Sequence, residues 1–388
     1  MKSIIVNAYS ISDLTNKINR SITEEFQPTL AFIYTSPRYN IRKLVVELNN
    51  YPFMVFGSTT VGEIFADEQH GAKEREETIV CMLLDIDITA ISLRLLQIED
   101  NRYYEIGKRV GAWAKEQYAN PAIITVTSGL DFDNDGYSQG IVSTGVEYIF
   151  GGAAGDDLIL KDTFVFSKEN FSSHGIIVLV LDLKKIDIIG TRAFGWTGLG
   201  QERVVTKADK NIVYEIDEKP AIDFYKKYLN VTTDDMPQTG IEYPLEVRLK
   251  NGQIVYRAIL DIQEDTGALI FAGHVEEKSR VRLSTARGKA IIPYVEKSIN
   301  EVLSKHKGFK PEIGLLFPCC SRKQVLGEYA IEEIEAIYKV TKTPLIGFYA
   351  YGEIGAFPNG GNAFHNETFV TALLRAVSYT HLTLPTKA

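Results

Sequence analysis

Cysteine is scarce: the chain of 388 residues holds three, Cys81, Cys319 and Cys320, the last two adjacent. An odd number at this spacing excludes a disulfide framework and a structural zinc site, and it fits a reducing compartment, so a cytoplasmic location is expected. Long apolar runs are also lacking. None approaches the ~20 residues of a membrane span, and the opening Met1-Lys2-Ser3-Ile4-Ile5-Val6-Asn7 is too short in its apolar part to be a signal peptide. Basic charge is in deficit, with 42 Lys+Arg against 50 Asp+Glu and a net charge of -8. That balance argues against nucleic acid as a partner, because a phosphate footprint needs clustered cations. Histidine is rare (six residues) and pairs with no ligand-spaced histidine or cysteine, so neither a metal nor a cofactor is expected. What remains is ordinary: 45% hydrophobic and 24% charged residues, the profile of a globular chain with a sizeable core.

The most informative pattern is internal repetition. Gly57-Ser58-Thr59-Thr60-Val61-Gly62-Glu63-Ile64 reads G-x4-G-E-I, and Gly347-Phe348-Tyr349-Ala350-Tyr351-Gly352-Glu353-Ile354 reads the same at an offset of 290. The offset persists downstream, where residues 77–84 align with 367–374 without a gap. Upstream, Pro28 and Pro311 each precede an apolar run, then a polar turn, a helical stretch and a second proline, Pro52 or Pro344. A weaker middle copy runs from Pro121 through the apolar 122–127 to Gly151-Gly152-Ala153-Ala154-Gly155-Asp156-Asp157 and the apolar 175–183. Each copy reads as helix, strand, loop, helix, strand, glycine loop, strand. The apolar runs are short and β-branched, as buried strands should be. Ile11, Leu14, Ile18 and Ile22, and likewise Ile291, Val295, Ile299 and Leu303, recur at helical spacing. Between copies two and three an insert at about 184–273 reads as hairpin-rich, with Asn251-Gly252 suited to a type I′ turn and a short helix over 220–229. The tail 376–388 fits no copy and is set aside as non-native.

A strand running into G-x4-G-E lets backbone approach a ligand closely, and Ser58, Thr59, Thr60 and Gly62 could cradle one. The same glycines could equally make turns. Glu63 and Glu353 could accept a ligand ammonium or hold a neighbouring loop's amides, and Gly152 and Asp156 take the related place in the middle copy. Cys320 follows a buried strand, where α/β proteins place functional groups. It is either a thiolate nucleophile, with His365 or His274 as base, or a small hydrophobe. Arg322 suits a ligand carboxylate or a structural ion pair. Tyr349 and Tyr351 lie inside the glycine loop. His365-Asn366-Glu367-Thr368 leads into the last strand, either as ligand chemistry or as a polar loop closing the motif. Asp131-Phe132-Asp133-Asn134-Asp135-Gly136 superficially fits a calcium loop, but position 12 is Val142 rather than glutamate, and a turn capping the next helix is favoured.

These residues resemble the FIST family. Residues 57–64 and 150–157, with Val205-Thr206-Lys207-Ala208 and Val213-Tyr214-Glu215-Ile216-Asp217, resemble its N-terminal region. Arg257, Cys320-Ser321-Arg322, residues 347–355 and His365-Asn366-Glu367-Thr368 resemble the C-terminal one. The resemblance spans about 28–375, divided as 1–219 and 220–375. It implies a sensory module of signal transduction that binds a small ligand such as an amino acid. No kinase, methyl-accepting or cyclase segment accompanies it, so a separate output protein is expected as partner.

The expectation is therefore an α/β protein of three related strand-helix-strand-strand units with a β-rich insert. It binds a small polar metabolite of the amino acid class, without membrane insertion, in a cleft where the glycine loops converge. In that cleft Arg322 would take the carboxylate, Glu63 or Glu353 the ammonium, and Ser58, Thr59 and loop amides the hydrogen bonds, with Tyr349 or Tyr351 as wall. The alternatives are a hydrolase using Cys320 or Ser58, and an interaction scaffold exposing a large apolar patch.

Overall fold

A computed structural model describes residues 1–229, 232, 236–357 and 361–377. The expected tail lies outside these residues from 378 onward. The fold is α/β, with three six-stranded sheets carrying the repeats and an eight-stranded sheet forming the insert. Among the described residues no helix is long and apolar enough to cross a membrane.

Each repeat builds four strands in one order. In copy one these are Lys2–Ala8, Ile79–Asp85, Leu30–Thr35 and Met54–Thr59, side by side. Copy two has Ile91–Gln97, Gly175–Asp182, Pro121–Thr127 and Tyr148–Ala153, and copy three has Ile186–Ala193, Phe369–Ala376, Ile313–Pro318 and Leu345–Phe348. The third and fourth strands are parallel in every copy, joined by a helical crossover, and the other pairs are antiparallel. Leu30–Thr35 and Pro121–Thr127 are buried throughout, which accounts for their unbroken apolar character.

The strands after each glycine loop do not return to their own sheet. The hairpin Glu63–Asp67 with Gly71–Arg75 extends the sheet of copy three at Leu345–Phe348. Glu353–Ala356 with Asn362–His365 extends that of copy two at Tyr148–Ala153. Val165–Phe166 with Phe171–Ser172 extends that of copy one at Met54–Thr59. The three units thus exchange hairpins in a cycle, each covering the next one's open edge. The boundary at 219/220 also falls inside a shared sheet, since Ile212–Ile216 pairs with Ala268–Phe271.

The helices sit where apolar periodicity places them. Ile11–Ser21 buries Leu14 and Ile18 and is capped by Ser10, whose hydroxyl accepts from Asp13 N at 3.0 Å. Ile292–Lys305 buries Val295, Ile299 and Val302. Three expectations are corrected. The insert occupies 197–285, because Ile186–Ala193 is the leading strand of copy three. Each copy begins with such a leading strand, not with a helix. The Asn251-Gly252 turn is not type I′: Gly252 alone has positive φ, and Leu249 N donates to Gln253 O at 2.8 Å, closing a longer loop.

Candidate ligand site

The three glycine loops meet. Val61 N donates to Tyr349 O (3.0 Å), Gly155 N to Thr59 O (3.1 Å) and Tyr351 N to Ala153 O (3.1 Å). A second set runs from Tyr349 N to Gly62 O (3.0 Å), Ala153 N to Gly352 O (2.8 Å) and Thr59 N to Phe164 O (2.9 Å). Equivalent backbone groups thus close a ring of six bonds among the copies. A Cβ on Gly155 would lie 2.4 Å from Val61 Cγ2 and 2.9 Å from Thr60 C, which is why glycine stands there. The ring is a packed junction. Ser58, Thr59, Thr60, Glu63, Tyr349 and Glu353 have no exposed surface, and Gly62 and Gly152 are buried with them. Thr59 Oγ1 accepts from Phe164 N (2.8 Å), Thr60 Oγ1 donates to Glu63 Oε1 (2.6 Å), and Ser58 Oγ has no partner.

The two glutamates share one task. Glu63 Oε2 accepts from Thr78 N (3.1 Å) and Thr78 Oγ1 (2.8 Å), and Glu353 Oε2 from Thr368 N (3.1 Å) and Thr368 Oγ1 (2.7 Å). Each latches its hairpin to the start of its unit's last strand, as the loop-holding role requires. In copy two the register places Val165 at the glutamate's position and Gly175 at the threonine's, so both halves of the latch are gone together. Asp156 is therefore not the middle-copy counterpart of Glu63. It belongs to an extra segment, 156–163. There its carboxylate accepts from Leu160 N (3.0 Å), Lys161 N (2.6 Å), Asp162 N (3.1 Å) and the Tyr351 hydroxyl. The tip of that segment holds Leu158, Ile159 and Leu160 exposed.

Burial pushes Glu63 up to about 7, against the pull of its bonds from Thr60 and Thr78. The fold therefore retains a proton that the unfolded chain releases above the ordinary 4.5. The contribution of Glu63 to stability should fall as pH rises from 4.5 towards 7 and level off above that. Glu63→Gln should remove this contribution. The variant is expected to match the native chain below pH 4.5 and to exceed it by about 3 kcal/mol above pH 7, as denaturant unfolding across pH would show.

Arg322 is fully buried. Its guanidinium forks onto Glu333, with Nε to Oε2 at 3.1 Å and Nη2 on Oε1, and Nη1 donates to Glu367 O at 3.0 Å. Of its two possible roles, the geometry supplies the structural ion pair. Tyr349 Oη donates to Glu74 Oε2 at 3.2 Å. Cys81 and Cys319 are buried, with burial pushing both thiols up, and Cys320 is half-buried. In the native chain Cys320 alone is expected to react with iodoacetamide, the other two following only on unfolding; peptide mapping of the label would show it. Neither proposed base stands free to serve Cys320 or Ser58. His365 is bonded to Arg192 and to Gly355 O, and His274 pairs with Asp133 at 3.0 Å. Asp133 accepts from Gly136 N at 2.8 Å, capping the next helix, while Asp135 pairs with Arg257 at 3.0 Å and joins the insert to copy two.

A group the sequence did not single out is Arg192. It lies near the end of Ile186–Ala193 with 8% of its surface exposed. Its Cζ stands 4.2 Å from the Phe194 ring centroid and 4.1 Å from that of Phe357, so two aromatic faces clamp the guanidinium plane. Nη1 donates to His365 Nδ1 at 3.1 Å. Because arginine only donates, His365 carries its proton on Nε2, which gives it to Gly355 O at 3.2 Å. Burial, with Arg192 and Arg257 nearby, holds His365 well below the usual histidine range. Arg192 forms no ion pair with any described residue, and its Nε has no partner. Burial lowers it to about 9, which leaves it cationic at neutral pH. Arg192 lines a cleft of about 660 Å³ between the end of copy two's sheet, the strand Ile186–Ala193 and the helix Ile292–Lys305. Asn362 lies in the same wall and keeps a buried Oδ1 unpartnered by any described residue. The one signal for Arg192 in the sequence is an arginine inside the apolar stretch Ile188-Ile189-Gly190-Thr191-Arg192-Ala193-Phe194.

Three interlocked α/β units with a cationic cleft at their margin define a ligand-binding module. Residues 29–219 match the FIST N domain and residues 221–356 the FIST C domain. The chain belongs to the FIST family, whose domains are small-molecule-binding sensory domains of signal transduction. No curated protein matches it.

Proposed function

We propose that this chain takes a small carboxylate-bearing metabolite, amino acids being candidates, into the Arg192 cleft and passes its occupancy to a separate output protein. The observation that carries this reading is Arg192 itself: a buried cation set against two aromatic rings and lacking a carboxylate among the described residues. Neutral Nδ1 of His365 fixes Nη1. That leaves Nη2, which bonds to no described residue, as the donor for a ligand carboxylate, while Nε is buried behind it. In this reading the glycine-loop residues act one step back. Glu353, latched by Thr368, sets the base of the hairpin that carries Asn362 and His365, and Gly152 pairs with Glu353 across the sheet edge. Thermal unfolding against millimolar amino acids and small carboxylates tests it, because a ligand at 100 times its Kd adds about 2.7 kcal/mol. A selective upward shift supports the reading, and a flat panel contradicts it.

A further inference from the structure

We infer that the ligand of the Arg192 cleft is an organic acid with an apolar body and no ammonium beside its carboxylate, not an α-amino acid. This rests on the reading of Arg192 above and narrows it.

The first argument is the wall. Beyond the guanidinium the cleft is mixed: Val146, Phe150, Ile189, Val302 and Phe357 form an apolar wall for a ligand body, and Thr191, Ser298, Lys305 and Asn362 set polar groups around it. A cleft of about 660 Å³ is in the range of small-molecule sites, and much of it would remain unfilled by a small polar metabolite.

The second argument is charge. An α-ammonium sits two bonds from its carboxylate, so with the carboxylate on Nη2 it would lie beside Arg192. The groups around that guanidinium are Phe194, Phe357 and the neutral His365, with Arg257 close enough to act on the same imidazole. No described carboxylate pairs with Arg192. The acids that line the cleft, Glu147 and Glu301, are both exposed, and Glu301 stands 3.8 Å from Lys297. An ammonium would thus be stripped of water next to cations, with Asn362 Oδ1 as the one buried unpartnered acceptor among the described lining residues, whereas a methylene in its place meets apolar wall.

Calorimetric titration of the full chain separates the possibilities. The probes are acetate, butanoate and hexanoate, then leucine against 4-methylpentanoate, which has the same carbon skeleton without the ammonium. Affinity should tighten about three- to fourfold per added methylene. 4-Methylpentanoate should bind at least about tenfold tighter than leucine. Val302→Thr, which keeps shape but adds a hydroxyl to the wall, should flatten the chain-length dependence. Leucine binding tighter than 4-methylpentanoate, or affinity indifferent to chain length, overturns this inference while the carboxylate reading stands, provided Arg192→Met abolishes the binding. Binding of no carboxylate, or binding that Arg192→Met leaves intact, overturns the carboxylate reading and this inference with it.

Discussion

Replacing Arg192 by methionine is expected to abolish carboxylate binding while leaving the chain folded and no less stable. Loss of one partner from a buried, hydrogen-bonded charge pair costs about 2–5 kcal/mol, which is about thirtyfold to several thousandfold in Kd. Methionine keeps an unbranched apolar stem between Phe194 and Phe357, so the two rings retain something to pack on. The unliganded native chain carries the desolvation penalty of a cation that no carboxylate offsets, and the variant does not. His365 loses one hydrogen bond and a repelling charge, two effects of opposite sign. The signature is therefore a split: ligand-induced stabilisation disappears while the unliganded melting temperature holds or rises. A variant that binds as the native chain does, or that unfolds, would remove the basis for placing the ligand here.

Arg322→Met should behave in the opposite way, with a large loss of stability. The guanidinium is completely buried, forked onto Glu333, capped by Glu367 O and set over the Trp196 ring at 5.3 Å. Its removal leaves Glu333 buried without its cation, which costs about 3–5 kcal/mol. The second change Glu333→Leu should recover most of that loss, because a buried ion pair replaced as a whole by apolar groups is often neutral. Denaturant unfolding followed by tryptophan fluorescence gives the comparison. A single variant within 1 kcal/mol of the native chain would mean that the pair is not holding copy three together.

The contrast between the two arginines shows what the sequence could convey. The latches Glu63–Thr78 and Glu353–Thr368 were visible as a motif at constant offset, because duplication preserves spacing. Their chemistry was not, since a carboxylate that binds threonine and one that binds an ammonium look the same in one dimension. Asp156 was misplaced because the extra segment 156–163 shifts copy two out of step, and only pairing of Val165 with Ser58 restores the register. The exchange of hairpins could not be read at all. Strands 63–67 and 71–75 carry ordinary strand patterns, and the sheet they join is a tertiary matter. Arg192 was hidden for a similar reason: its aromatic neighbours include Phe357, far along the chain, and its significance lies in a carboxylate it does not meet. The junction of the glycine loops was expected as an open cleft. The backbone bonds that bring the loops together also shut it.

The most direct test is a crystal structure of the chain soaked with 4-methylpentanoate. The carboxylate is predicted to accept from Nη2 of Arg192, with the alkyl body against Ile189 and Val302. A carboxylate found instead at Arg322 or among the glycine loops, with Arg192 Nη2 vacant, would contradict the account.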